Sequence, residues 1–278
     1  MLHFHIHERA KLCPRKAIPL KGMGFFSLAP KFLLSEVHTV ANIKLICFPY
    51  AGGSSAIYYE WQPYLRSGGI DLIPFELQGR GRKLGEALHT RMDLLIDQAV
   101  AEVMEIIGRN RRYSFFGHSM GGLIAFEMVK KLMEAGFASP ERLFISAKSS
   151  PCSNHLIEKY SKLNDEALLE KLYRDGGVNE EFVRSVFLQE AFLPIIRADY
   201  ELIETYKANL SAKVDCPITV FYGDSDKITS KEISLWENYT HADTSFIAIG
   251  GGHFFIRDRY PEVIQHINDQ LYPDNVNK

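Results

Sequence analysis

Cysteine is scarce in this 278-residue chain: Cys13, Cys47, Cys152 and Cys216 are the whole complement. No two of them sit at the C-x-x-C spacing of a metal site or a dithiol redox pair. Cys47 lies inside an apolar run and Cys216 precedes a proline at the head of another, so they read as buried thiols of a reducing compartment. Also missing is an unbroken apolar stretch of the roughly 18 residues that a membrane span needs. The N-terminus lacks the apolar core of a secretory signal peptide, and a cytoplasmic protein is expected. Charge of one sign is absent as well: 32 Lys and Arg face 34 Asp and Glu, a formal net charge of -2. With no basic tract to override that balance, a nucleic-acid surface is not expected. Repeats and low-complexity segments are lacking too. What remains is 46% hydrophobic and 24% charged, an ordinary globular composition with a sizeable core.

Length alone suggests two domains, but single α/β domains often reach this size. Residues 1–40 do not fit the pattern that follows. His3, His5 and His7 alternate as ligands on one strand face would, yet nothing else completes a metal site. We read 1–40 as an N-terminal extension, mobile or loosely docked, and 41–278 as one domain.

From Ile43 the punctuation becomes regular. Residues 44–48 form a near-continuous apolar run, as expected for a parallel strand covered on both faces. Further strands are expected over 71–75, 113–116, 142–147, 218–222 and 245–249. Helical spacing marks 92–107, 122–133 and 261–271. Strands alternating with helices imply a parallel sheet with right-handed crossovers. Residues from about 149 to 210 break the alternation, carrying helical patterns but no convincing strand. A helical insertion there would cover the carboxyl edge of the sheet, where open α/β sheets bind their ligands, so it reads as a lid.

The most telling segment is Gly117-His118-Ser119-Met120-Gly121, a G-x-S-x-G pattern with a strand before it and a helix after it. That context makes it a nucleophile elbow, with Ser119 on the sharp turn. The glycines allow close backbone approach, and the helix N-terminus puts partial positive charge where an oxyanion would form. His118 should point away from Ser119 and pack or hydrogen-bond beneath the elbow.

A serine hydroxyl is a weak nucleophile. It needs a neutral imidazole within hydrogen-bond reach and a carboxylate that fixes the imidazole tautomer. With such an elbow the expected chain order is Ser, acid, His. Gly250-Gly251-Gly252-His253 follows the last strand, and the glycines permit a loop that presents His253. For the acid, Asp224 and Asp226 both follow the strand at 218–222. Asp226 ends the G-x-x-D spacing common to this loop in α/β-hydrolases, whereas Asp224 reads as a solvated or turn-capping residue. An earlier position for the acid, at 147–151, holds no carboxylate. An oxyanion hole takes two backbone N–H groups; Met120 supplies one, and the loop Pro49-Tyr50-Ala51-Gly52-Gly53-Ser54 supplies the other through Ala51. No lysine follows those glycines, so a phosphate-binding loop is excluded.

Together these motifs carry a resemblance. Residues 48–54 with Tyr58 and Trp61, the elbow 117–122, Gln78-Gly79-Arg80-Gly81-Arg82, the helix around 193–200 and Gly251-Gly252-His253-Phe254-Phe255 resemble, in order, the motifs of type II thioesterases, the stand-alone editing enzymes of nonribosomal peptide and polyketide synthases. Gln78 stands where that family has proline. The likeness spans roughly 43–271 and excludes the extension. It implies an α/β-hydrolase fold, a mostly parallel sheet flanked by helices with a helical lid insertion. It implies hydrolysis of acyl groups from the phosphopantetheine arm of acyl or peptidyl carrier proteins by Ser119, His253 and Asp226. No metal or dissociable cofactor is implied, since phosphopantetheine belongs to the substrate, and a monomer is expected. Arg80 and Arg82 are read as solvated loop residues, and Arg197 and Asp199 as a structural lid ion pair, rather than as docking groups for an acidic carrier. The same triad would serve a simple esterase or an acyltransferase, and a silent binding fold would lack its intact Ser, Asp and His. The late Gly-Gly-His loop argues against a malonyl-transferase fold.

Overall fold

The computed structural model describes residues 42–108, 112–153 and 159–273. The expected extension over 1–40, with its three alternating histidines, lies outside them. Six strands, β1 (Ile43–Phe48), β2 (Ile70–Pro74), β3 (Tyr113–His118), β4 (Leu143–Ser146), β5 (Ile218–Gly223) and β6 (Thr244–Ile249), form one sheet in the order β2-β1-β3-β4-β5-β6. Every pairing in it is parallel. The boundaries differ from the sequence expectation by a residue or two.

The apolar run of β1 has its reason in the two layers that cover it. Successive side chains of a strand point to opposite faces. Ile46 and Phe48 enter the core under helices α1 (Met92–Ile107) and α2 (Met120–Glu134). Leu45 and Cys47 enter the core on the other face, beneath α7 (Tyr260–Leu271). Little of either face meets water, and the one polar residue of the strand, Lys44, is half-buried and donates to the Ile106 carbonyl at 2.5 Å. β3 is buried along its whole length for the same reason, and it runs through the middle of the sheet.

The segment between β4 and β5 holds α3 (Asp165–Arg174), α4 (Glu180–Arg184) and α5 (Val186–Thr205), and no strand among the described residues. Their starts are set by side-chain caps: Asn164, Asn179 and Ser185 accept hydrogen bonds from the amides of Ala167, Phe182 and Leu188. Helix α5 contains Pro194. Before it, Val186 and Phe187 are largely exposed; after it, Ile195, Ile196, Asp199 and Leu202 are buried. A short α6 (Ser230–Ser234) begins with a full capping box between Thr229 and Glu232.

One ordered stretch had no clear signal in the sequence, a 3-10 run over Ser55–Tyr64. Pro63 lies inside it and its apolar periodicity is weak. Tertiary anchors hold it instead. The rings of Tyr58 and Trp61 meet edge to face at 4.9 Å, Trp61 meets Phe116 at the same distance, and the Tyr58 hydroxyl donates to the Phe48 carbonyl at 2.6 Å. No helix among the described residues is long and apolar enough to cross a membrane.

Candidate active site

The turn from β3 into α2 places Ser119 at φ 53° and ψ -113°, a conformation disfavoured for a residue with a Cβ. Such strain costs on the order of 1–3 kcal/mol and must be held by its surroundings. Here the Ser119 amide donates to the Ser146 carbonyl at 2.7 Å, and the Gly122 amide donates to the Ser119 carbonyl at 3.0 Å. The elbow glycines permit the contact that makes the turn so tight. A Cβ on Gly117 would sit 2.0 Å from the Gly121 carbonyl oxygen, and one on Gly121 would sit 2.1 Å from that of Phe48.

The loop after β6 brings His253 against Ser119, with Nε2 3.1 Å from the serine Oγ. On its other side, His253 Nδ1 lies 2.8 Å from Asp226 Oδ2. A carboxylate only accepts, so Nδ1–H donates to it and Nε2 is left to accept from the Ser119 hydroxyl. The Asp226 side chain is 4% exposed and that of His253 is 30% exposed. The acid is thus shielded while the imidazole reaches the cavity.

Asp224 is exposed and points elsewhere. It accepts from the Gly251 amide at 3.0 Å and from the Ser225 hydroxyl at 2.8 Å. Those two bonds, the amide first, hold its carboxyl below the ordinary value. Its place is to brace the glycine loop that carries His253.

His118 is fully buried beneath the elbow. Its Nδ1 lies 2.9 Å from Ser146 Oγ, and its Nε2 lies 3.0 Å from the His253 carbonyl oxygen. Because that carbonyl can only accept, Nε2 carries the proton and Nδ1 accepts from the serine hydroxyl. Burial, and after it the neighbouring His253, pushes the His118 pKa well below its ordinary 6.5. The sign follows by linkage. The unfolded chain takes up a proton below pH 6.5 that the folded ring refuses, so stability is full at neutral pH and falls as pH drops. The expected loss is up to about 1.4 kcal/mol per pH unit from this one group. Urea unfolding at neutral pH and at about pH 5.5 checks it: His118→Gln should have a flatter stability profile than the parent, and equal slopes would contradict the assignment.

The two expected oxyanion donors belong to separate segments, the start of α2 and the loop after β1. Met120 is the first residue of α2, where a helix leaves its amide without an internal partner. Ala51 sits in a turn closed by the Gly53 amide on the Tyr50 carbonyl at 2.9 Å. Ala51, Ser119, Asp226 and His253 line a common cavity of about 470 Å³. A neighbouring cavity of about 420 Å³, sharing Tyr50, Ala51 and Phe254, extends toward Phe182 and Phe192.

Lys148, for which no role is expected from its place after a strand, also lines the main cavity. Burial lowers its ammonium pKa to about 8, against the opposing pull of the Glu232 carboxylate. The chain turns there through Ala147, a second non-glycine residue at positive φ, 47°. Among the described residues, no three His, Cys, Asp or Glu side chains converge as a metal site requires.

The reading of Arg80 as a solvated loop residue needs correction. Its side chain is 4% exposed and pairs with Asp199, 1% exposed, through two contacts of 2.6 and 2.7 Å. The cause is the path of the preceding loop, which turns inward and buries Glu76 and Gln78 as well. Arg82 is exposed as expected. Arg197 pairs with Asp165, not Asp199, and also donates to the carbonyls of Ser161 and Leu163.

Residues 43–271 match the thioesterase domain family model. The thioesterase PikA5 of Streptomyces venezuelae is 31% identical over 243 residues, covering 86% of this chain and 85% of that protein. The crystal structure of ClbQ from the colibactin NRPS/PKS pathway superposes with a TM-score of 0.78 at 32% identity, covering 83% of this chain and 97% of that one. The type II thioesterase BorB from the borrelidin biosynthetic cluster does so with a TM-score of 0.75 at 29% identity, covering 83% and 93%. With a parallel sheet, a strained serine elbow and a match that runs from the first strand to the last helix, the chain belongs to the thioesterase family, on the α/β-hydrolase fold.

Proposed function

We propose that the protein hydrolyses acyl thioesters on the phosphopantetheine arm of acyl or peptidyl carrier proteins, freeing a nonribosomal peptide or polyketide synthase from stalled acyl units. The observation that carries this reading is the continuous hydrogen-bonded line Asp226–His253–Ser119, opening on a cavity in a chain of the thioesterase family. In this reading Ser119 Oγ attacks the thioester carbonyl carbon as its proton passes to His253 Nε2. Asp226 keeps the imidazole in the accepting tautomer and stabilises the imidazolium that forms. The carbonyl oxygen, now anionic, takes the amides of Ala51 and Met120. The C–S bond breaks, His253 hands its proton to the departing sulfur, and an acyl-serine and a free thiol result. Water then attacks the acyl carbon, His253 removes its proton, and Ser119 leaves with that proton as the acid is released. Protein side chains, the two backbone amides and water supply every group in this scheme. The reading includes a monomer working in the cytoplasm.

The test is release of acid from an acetyl-loaded carrier protein, beside acetyl-coenzyme A and p-nitrophenyl acetate. The carrier substrate should win in kcat/KM by at least about tenfold, or about 1.4 kcal/mol of transition-state discrimination. Preference for the simple ester would make this a general esterase that shares the family's ancestry.

A further inference from the structure

The turn that offers the Ala51 amide is held from outside by groups distant in sequence. It is a type II turn: Gly52, its third residue, has φ +78°, and the Gly53 amide closes it onto Tyr50. Types I and II differ by a flip of the central peptide, whose N–H belongs to Gly52. That N–H donates to Asp199 Oδ2 at 2.7 Å, so the carboxylate selects the type II orientation. The carbonyl of Gly53, two peptides further on, accepts from Arg80 Nη1 at 3.1 Å. Arg80 in turn grips both oxygens of Asp199. One carboxylate and one guanidinium therefore hold two peptide groups of the loop, Ala51–Gly52 and Gly53–Ser54, on either side of the Gly52–Gly53 peptide.

Helix α5 is flush against the same place. A Cβ on Gly52 would lie 2.7 Å from Ile196 Cγ1. Ile196 and Asp199 are three residues apart, on one face of the helix. Taking an ion pair this deeply out of water is a poor way to stabilise a fold, because desolvation consumes most of the Coulombic gain. An apolar pair would hold the layers together at least as well. It would not orient a peptide plane.

We propose that Asp199 and Arg80 are positioning residues for the oxyanion site: seated on the turn, α5 anchors the peptides that follow Ala51 and so keeps the Tyr50–Ala51 peptide, and its amide, in place beside the reacting carbonyl. This rests on the hydrolytic reading above. It makes the helical insertion part of the catalytic geometry as well as a cover for it.

The test is the double variant Arg80→Met/Asp199→Leu, which leaves no buried charge unpaired. It should unfold cooperatively near the parent midpoint, lose about a hundredfold in kcat and change little in KM. A trifluoromethyl ketone analogue of the acyl substrate forms an oxyanion adduct on serine, and its affinity should fall in parallel with kcat. A merely structural role would leave that parallel absent. The exposed neighbour variant Arg82→Ala should match the parent within about twofold. A folded double variant with parental kcat, or one that loses kcat with ketone affinity intact, overturns the proposal. Should the double variant not fold, Asp199→Asn is measured in the same way, with a smaller parallel loss expected; failure of both to fold makes the pair structural and also overturns it. A parent enzyme that neither cleaves thioesters nor binds the ketone indicts the hydrolytic reading itself, whereas an active parent with unaffected variants removes only the positioning role.

Discussion

Ser119→Ala should lower thioester turnover by about 10⁵-fold or more while leaving the fold intact. The substitution removes one oxygen and keeps the Cβ, so the elbow is asked for nothing new. Its conformation at φ 53° is held by backbone bonds from the Ser119 amide and carbonyl, which alanine makes equally well. What disappears is the atom facing His253 Nε2. Without it the imidazole has no hydroxyl to deprotonate and no acyl-enzyme forms. Binding and the remaining oxyanion donors would still give a modest rate over water. Two measurements check this: single-turnover release of acid, and mass-spectrometric labelling by a fluorophosphonate. Turnover near the parental rate, or a labelled variant, would remove Ser119 from the mechanism.

Asp226→Asn should cost about 10⁴-fold in kcat, and Asp224→Asn only a small factor. The difference lies in what each carboxylate touches. Asp226 accepts from His253 Nδ1 and thereby leaves Nε2 unprotonated. An asparagine there can turn its amide N–H toward Nδ1, which places the ring proton on Nε2, where it blocks acceptance from Ser119. The group is also 4% exposed, so solvent cannot take over its role. Asp224 is exposed, and its bonds go to the Gly251 amide and the Ser225 hydroxyl. An asparagine oxygen still accepts from the Gly251 amide, and the lost charge is screened by water. Steady-state kinetics of the two variants side by side give the ranking, and the reverse order would transfer the acid's role to Asp224.

Much of this site was legible because its chemistry is local in sequence. The elbow is five consecutive residues whose two glycines each answer to a close backbone contact, and the alternation of β and α segments put Ser119, the Asp224/Asp226 pair and His253 at the same sheet edge. The place of His118 beneath the elbow followed from its neighbour alone. Choosing between Asp224 and Asp226 from spacing is a different matter, because two residues on one loop differ only in where each side chain points. Arg80 illustrates a further limit. An arginine among glycines looks solvated until a carboxylate 119 residues away comes to meet it. Lys148 was missed for a related reason: a strand end without a carboxylate gave no hint that its lysine would line the cavity. The 3-10 run of Tyr58 and Trp61 is built by packing partners, not by a period, so a period could not reveal it.

Pro194 divides α5 into two mechanical parts. It contributes no amide to the helix ladder, so the carbonyl of Glu190, one turn earlier, has no partner there, and its ring crowds the preceding turn. Stiffness along the rod is lowest at that joint. On one side, a load applied to the exposed Val186 and Phe187 bends a segment with little to lose. On the other, the buried stretch through Ile196, Asp199 and Leu202 is bolted to the body of the enzyme. A guest in the neighbouring cavity meets both parts of the rod, Phe192 ahead of the joint and Ile196 behind it, and touches the turn itself at Gly52.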